Sequence, residues 1–197
     1  MENRNQNKTA VRPSVDQLEA ELKRIKYKRS YKRTLRSTVY TLITVAAIAI
    51  LVATLWLPVL QIYGSSMTPA LQNGEIVFTV KSSNFAEGDI LAFYYNNKIL
   101  VKRVIASEGE WVDIDEAGNV YVNSVLLDEP YVTDKALGDT NIELPYQVPD
   151  GKVFVMGDHR STPVDSRSTA VGCVGQEQVV GRIVFRVWPL NLFGPVY

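Results

Sequence analysis

Two hydrophobic patterns divide this chain. From Val39 to Leu60 the residues are apolar apart from scattered threonines. About 22 residues at ~1.5 Å rise per residue match the ~30 Å hydrocarbon core of a bilayer. The segment therefore predicts one membrane-spanning helix. Trp56 and Tyr63 stand where interfacial aromatics would anchor one end, and Tyr40 stands at the other. Pro58 falls in the last turn, where a membrane helix tolerates it. The run is longer than the ~7–15 apolar residues of a cleaved leader, and no small-residue cleavage site precedes Gln61. A retained anchor is the better reading. Upstream, Ser14-Val15-Asp16-Gln17 has the form of a capping box, and Leu18, Leu22 and Ile25 recur at helical spacing. These predict a short amphipathic helix over residues 14–33. The first dozen residues are polar and are expected to be disordered.

Beyond Gln61 the period changes from helical to alternating. Residues 75–80, 89–95, 99–106, 111–114, 120–127, 152–156 and 179–187 are rich in Val, Ile, Phe and Tyr. Turn signals separate them, among them Asn73-Gly74, Glu87-Gly88, Asn96-Asn97 and Asn123-Ser124. The fold class predicted is mainly β, an antiparallel domain of hairpins behind a single helix. Residues 133–148 are weakly patterned and read as a loop.

Charge sharpens this division. Residues 1–36 carry eleven Lys/Arg against four Asp/Glu, residues 37–60 carry no charge, and residues 61–197 carry ten against seventeen. A basic flank puts the N-terminal end in the cytoplasm by the positive-inside rule, with residues 61–197 outside. The expected organisation is a cytoplasmic tail over 1–36, an anchor over 37–60 and an extracytoplasmic domain over 61–197. Beside a membrane span the basic cluster meets anionic lipid more simply than nucleic acid. A single cysteine, Cys173, excludes a disulfide framework, and a single histidine, His159, excludes a multi-histidine zinc site. Cys173 reads as a small buried apolar residue.

Three clusters carry candidate chemistry. In Leu100-Val101-Lys102-Arg103-Val104 the strand period places Lys102 on one face with Leu100 and Val104, and Arg103 on the other. Burial among apolar neighbours lowers a lysine pKa and makes the amine a general base; the plainer alternative is a lysine that snorkels to water. Gly64-Ser65-Ser66-Met67-Thr68-Pro69 lies directly after the span. A serine there needs a neighbouring base to attack a carbonyl, and backbone N–H groups of such a turn suit an oxyanion. Composition does not choose between Ser65 and Ser66. The third cluster, Gly157 to Arg167, offers Asp158 and Asp165 as partners for Arg103, Arg160 or Arg167. His159 invites a triad with Ser66, although a local structural role is the simpler expectation. The S-x-x-K and nucleophile-elbow patterns of other serine hydrolases are absent.

One span, then SSMTPAL, then KRVIA, then GDHRSTPVDSR: this order resembles the bacterial type I signal peptidases, especially their single-span Gram-positive forms. The resemblance covers nearly all of residues 37–197. It implies an antiparallel β domain seated at the membrane, with a less regular β extension near residues 107–150. It implies Ser66 as nucleophile, Lys102 as general base, and Ser66 with Gly64 at the oxyanion hole. Ile62, Met67, Leu71 and Val101 would line pockets for small side chains in preproteins with Ala-X-Ala-like cleavage sites. Arg103, Asp158, Asp165 and Arg167 would form the supporting ion pairs. No metal or organic cofactor is implied. Three positions depart from the family pattern. His159 stands for a usual Asn, and Ala70 for a usual Thr. Pro163 stands where relatives often carry a serine whose hydroxyl meets the lysine. That hydroxyl is then expected from Ser161, Thr162 or Ser166. Alternatives are an inactive or narrowly specialised membrane-tethered β module that binds export substrates or partners, and a soluble repressor-type Ser–Lys protease, which the span argues against.

Overall fold

A computed structural model of the chain describes residues 14–56 and 58–197. The expected disorder of the first dozen residues lies outside the described residues, and the anchoring role of Trp56 lies outside the described side chains. The chain divides into two compact units, residues 1–52 and 53–197.

The first unit is built on α1 (Val15–Trp56). Its start is the predicted capping box: the Ser14 N–H donates to Gln17 Oε1 at 3.1 Å, and the Gln17 N–H to Ser14 Oγ at 3.3 Å. The sequence predicted a short helix followed by a separate span, whereas α1 is one continuous helix of 42 residues. No glycine or proline interrupts residues 15–56, so nothing breaks the backbone ladder between the two. The apolar part is long and hydrophobic enough to cross a membrane, with a mean hydropathy of 1.6. Two of its threonines turn inward: Thr41 and Thr44 donate to the carbonyls of Ser37 and Tyr40 at 3.0 and 2.9 Å. That satisfies their hydroxyls where water is absent.

The helix ends four residues short of the predicted Leu60. Pro58 disfavours helical geometry just before it, and Val59–Gln61 forms strand β1 instead. Strand β1 opens the second unit, which is antiparallel throughout. The further strands are β2 (Ile76–Val80), β3 (Ile90–Tyr95), β4 (Lys98–Ala106), β5 (Trp111–Ile114), β6 (Val120–Val122) and β7 (Val125–Leu126). Then come β8 (Tyr146–Gln147), β9 (Lys152–Met156), β10 (Val174–Gly175), β11 (Val179–Trp188) and β12 (Gly194–Pro195). One sheet has the order β1-β2-β11-β3-β4-β9-β10, with β12 on β11. A second, four-stranded sheet has the order β7-β6-β5-β8. The stretch 133–148 is thus not all loop, because Tyr146 and Gln147 pair with Val112 and Trp111.

Three apolar clusters fill this unit. Ile62, Met67, Leu71, Val77, Ile90 and Ile183 form one, with Val101 against it. Leu91, Phe93, Val104, Val153 and Val155 form another, with Leu100 against it. Under the four-stranded sheet, Val112, Ile114, Val120 and Val122 pack on Phe154, Met156 and Cys173. Cys173 is the buried apolar residue expected, and burial pushes its thiol up to about 11. Strand β4 is therefore covered on both faces, and Lys102 at its middle is only 2% exposed.

Candidate active site

The turn after β1 carries Ser66. Gly64 begins it at φ +95°, a left-handed backbone that favours glycine. The Gly64 N–H donates to Asn73 Oδ1 at 3.0 Å, which ties the turn to the Asn73-Gly74 bend. Farther on, the Leu71 N–H donates to the Met67 carbonyl at 2.8 Å, and Arg186 Nη2 donates to the Ala70 carbonyl at 2.6 Å. The Gly64 N–H is thus taken by Asn73, and no other atom lies within 4 Å of where a Gly64 side chain would stand. Among the described residues no acceptor takes the Ser66 N–H, so that amide remains available to an oxyanion.

Gly157, at the end of β9, faces both candidate catalytic residues. A methyl group on Gly157 would lie 2.6 Å from the Ser66 carbonyl oxygen, 3.1 Å from Thr162 Oγ1 and 3.2 Å from Lys102 Nζ. Sequence elements some 36 and 91 residues beyond Ser66 thus converge on one point. The His159 N–H donates to the Ser66 carbonyl at 3.1 Å and fixes that turn against the 157–162 loop. His159 serves through its backbone, and among the described residues its imidazole has no hydrogen-bond partner. Gly157→Ala should lower kcat by about 100-fold, the scale of a ~1 Å misplacement, while far-UV circular dichroism stays native. A steady-state cleavage assay beside a circular dichroism spectrum checks both.

Burial dominates the electrostatics of Lys102. It draws the amine down from 10.5 to about 8, against Asp165 and Asp158, which favour the charged form; Arg167 adds to the lowering. The carboxylates are themselves paired. Asp158 accepts from Arg103 Nε and Nη2 at 2.8 and 2.7 Å. Burial raises its pKa, opposed by Arg103. Arg103 also donates to the Gly88 carbonyl at 2.8 Å and lies over the Tyr131 ring at 4.0 Å. Asp165 accepts from Arg167 Nε and Nη2 at 2.9 and 2.8 Å, and from the Gly157 N–H at 3.3 Å. Arg167 further donates to the carbonyls of Ala136, Leu137, Arg160 and Thr162. Arg160 pairs with Glu129 and donates to the Gly157 carbonyl at 3.1 Å. Nothing around Glu129 in the sequence marks this partner; the pairing follows only from the fold.

A cleft of about 560 Å³ runs beside Ser66. One wall is residues 59–64 with Ser66 and Met67, and the other is residues 97–101. Ile62, Met67 and Val101 are among its lining residues. Leu71 does not border the cleft: it is wholly buried in the cluster beneath. No group of side chains able to hold a metal ion occurs among the described residues.

The sequence is similar to known proteins. Residues 35–188 match the family model described as "Signal peptidase, peptidase S26". Over 152 residues the chain is 34% identical to signal peptidase IB of Staphylococcus aureus, covering 67% of this chain and 78% of that protein. Over 146 residues it is 34% identical to thylakoidal processing peptidase 1, chloroplastic, of Arabidopsis thaliana. That match covers 66% of this chain, which spans only 41% of the plant protein's length. A crystal structure of a signal peptidase I from Enterococcus faecalis V583 aligns with a TM-score of 0.42 and 30% identity, over 50% of this chain and 96% of that one. A family match spanning the helix end, the Ser66 turn, Lys102 and the Gly157 loop leads to one conclusion: the chain belongs to the signal peptidase family, peptidase S26, and is a membrane-anchored serine peptidase of that family.

Proposed function

We propose that the chain removes signal peptides from exported preproteins with Ser66 as nucleophile and Lys102 as general base. The observation that carries this is the approach of the Ser66 backbone carbonyl and the Lys102 amine to one point beside Gly157, with burial drawing that amine down to about 8. Lys102 Nζ takes the Ser66 Oγ proton as Oγ bonds to the scissile carbonyl carbon. The Ser66 N–H holds the oxyanion. As the C–N bond breaks, the lysine returns its proton to the leaving amine. The same lysine then deprotonates a water that releases the acyl group.

The apolar cleft walls at Ile62, Met67 and Val101 fit small side chains such as those of an Ala-X-Ala site. The basic end of α1, from Lys23 to Arg36, belongs on the cytoplasmic side against anionic lipid, with residues 61–197 outside. Ser66 then lies within ten residues of the anchor's end at Trp56, close to where a signal helix leaves the bilayer.

A pH profile of kcat/KM on a model preprotein tests the base. Activity requires the neutral amine, so it should rise with pH, with its half-point near 8. A flat profile between pH 6 and 10 would remove Lys102 from this role.

A further inference from the structure

The chain from Ile62 to Glu75 leaves β1 and returns to β2 as a closed loop that carries Ser66. Its base is pinned, because the Ile62 N–H donates to the Glu75 carbonyl and the Gly74 N–H to the Ile62 carbonyl, both at 2.8 Å. Inside the loop the Thr68 N–H donates to the Ser65 carbonyl at 3.1 Å, and the Leu71 N–H to the Met67 carbonyl at 2.8 Å. These two turns overlap at Met67 and Thr68, so the backbone at Ala70 is coupled to the backbone at Ser66. Two groups from elsewhere in the fold grip the loop by its carbonyls. The His159 N–H holds that of Ser66. Arg186, 116 residues further along the chain, holds that of Ala70.

Arg186 lies on β11 opposite Val77 of β2. Its Nε stands 3.0 Å from Glu75 Oε2, with the two side chains only 14% and 4% exposed. Neither of those atoms has a hydrogen-bond partner among the described residues. Charge, not a directed bond, thus keeps the guanidinium beside Glu75. The one hydrogen bond its side chain makes among the described residues goes from Nη2 to the Ala70 carbonyl at 2.6 Å. A charged donor on a carbonyl is about twice as strong as a neutral one. The charges that act on Lys102 are those of Asp165, Arg167 and Asp158. Arg186 and Glu75 therefore touch the nucleophile's side of the site and leave the base alone.

We propose that Arg186 is a positioning residue for the nucleophile: its guanidinium, balanced by Glu75, holds the Ala70 carbonyl and so sets where the turn presents Ser66 to Lys102. This rests on the Ser66–Lys102 reading above. A purely structural ion pair and a positioning tether differ in one respect. Removing both charges of the pair relieves the stranded carboxylate and returns stability. It does not return the hydrogen bond to Ala70.

The test measures kcat, its pH profile and Tm for the full-length wild type, Arg186→Met, Arg186→Lys and the double variant Glu75→Met/Arg186→Met, with Ser66→Ala and Lys102→Met beside them. The substrate is a model preprotein with an Ala-X-Ala site. Arg186→Met should lose Tm and about tenfold to a hundredfold in kcat, up to the scale of a ~1 Å misplacement. Its pH half-point should stay where the wild type has it, since the charges around Lys102 are untouched. Arg186→Lys keeps a charged donor for the Ala70 carbonyl and should recover most of the kcat. The double variant should recover Tm but not kcat, and it decides the matter if Arg186→Met does not fold. Wild-type kcat in the double variant, or in Arg186→Met below its melting temperature, overturns the proposal, as does a shifted half-point. If Ser66→Ala and Lys102→Met are inactive while the double variant is fully active, this inference alone fails. If those two variants still cleave, the dyad itself is wrong.

Discussion

Lys102→Met is expected to abolish cleavage and to raise stability. Removing the base should cost about 10⁴-fold in kcat, because the same amine serves both acylation and deacylation. The gain in stability follows from linkage. The amine's pKa is about 8 in the fold against 10.5 for the free side chain, so the fold binds that proton less tightly than the unfolded chain does. The penalty is full below pH 8 and fades as pH rises toward 10.5. At pH 7 it amounts to about 3 kcal/mol, taking 1.36 kcal/mol for each unit. Methionine fills a similar volume without charge, so part of this returns as stability. Thermal unfolding at pH 7 and pH 10 checks it: the variant should melt higher at pH 7, and the difference should shrink at pH 10. A lower melting temperature at pH 7 would mean that the amine is not desolvated.

Arg167→Met should have the opposite effect, a large loss of stability. Arg167 is 1% exposed and holds Asp165 together with four loop carbonyls. Its removal leaves a buried carboxylate uncompensated, at a cost of about 3–5 kcal/mol. For a domain of this size that corresponds to a fall of about 10 °C or more in Tm. Asp165→Leu added to Arg167→Met should restore much of the loss, since the stranded charge goes too. A second readout is independent of stability. Arg167 lowers the Lys102 pKa, so whatever activity survives in Arg167→Met should have its half-point at higher pH. Differential scanning calorimetry of the single and double variants gives the first result, and a pH profile of the single variant gives the second.

The residues that were legible in the sequence are those whose environment is local. Lys102 sits between Leu100, Val101 and Val104, and alternation alone placed it among apolar neighbours. The long strands β2, β3, β4, β9 and β11 lie within one or two residues of where their Val, Ile and Phe runs put them. Strand β1 was hidden because Val59 and Leu60 continue an apolar run, and a short apolar segment reads equally as helix or strand. The two-residue strands at Tyr146 and Val174 are set by their partners and carry too few residues for a period. The motif 157–167 offered several pairings of Asp158 and Asp165 with nearby arginines, and the fold resolves them: Arg103 with Asp158, and Arg167 with Asp165. Arg160 instead turns to Glu129, 31 residues away. Gly157 was legible only as one letter of a motif. Its importance is steric and lies in the Ser66, Thr162 and Lys102 atoms that crowd the place of its missing side chain. Leu71 was read as a pocket wall because it follows Ser66 closely, yet a one-turn hydrogen bond from its N–H to the Met67 carbonyl carries it into the core.

The most direct measurement compares detergent-solubilised wild type with Ser66→Ala on a model preprotein bearing an Ala-X-Ala site. A single cut after that site by the wild type is expected, with cleavage by the variant reduced by about 10⁴-fold or more. Cleavage by Ser66→Ala at a rate near that of the wild type would contradict a Ser66–Lys102 peptidase.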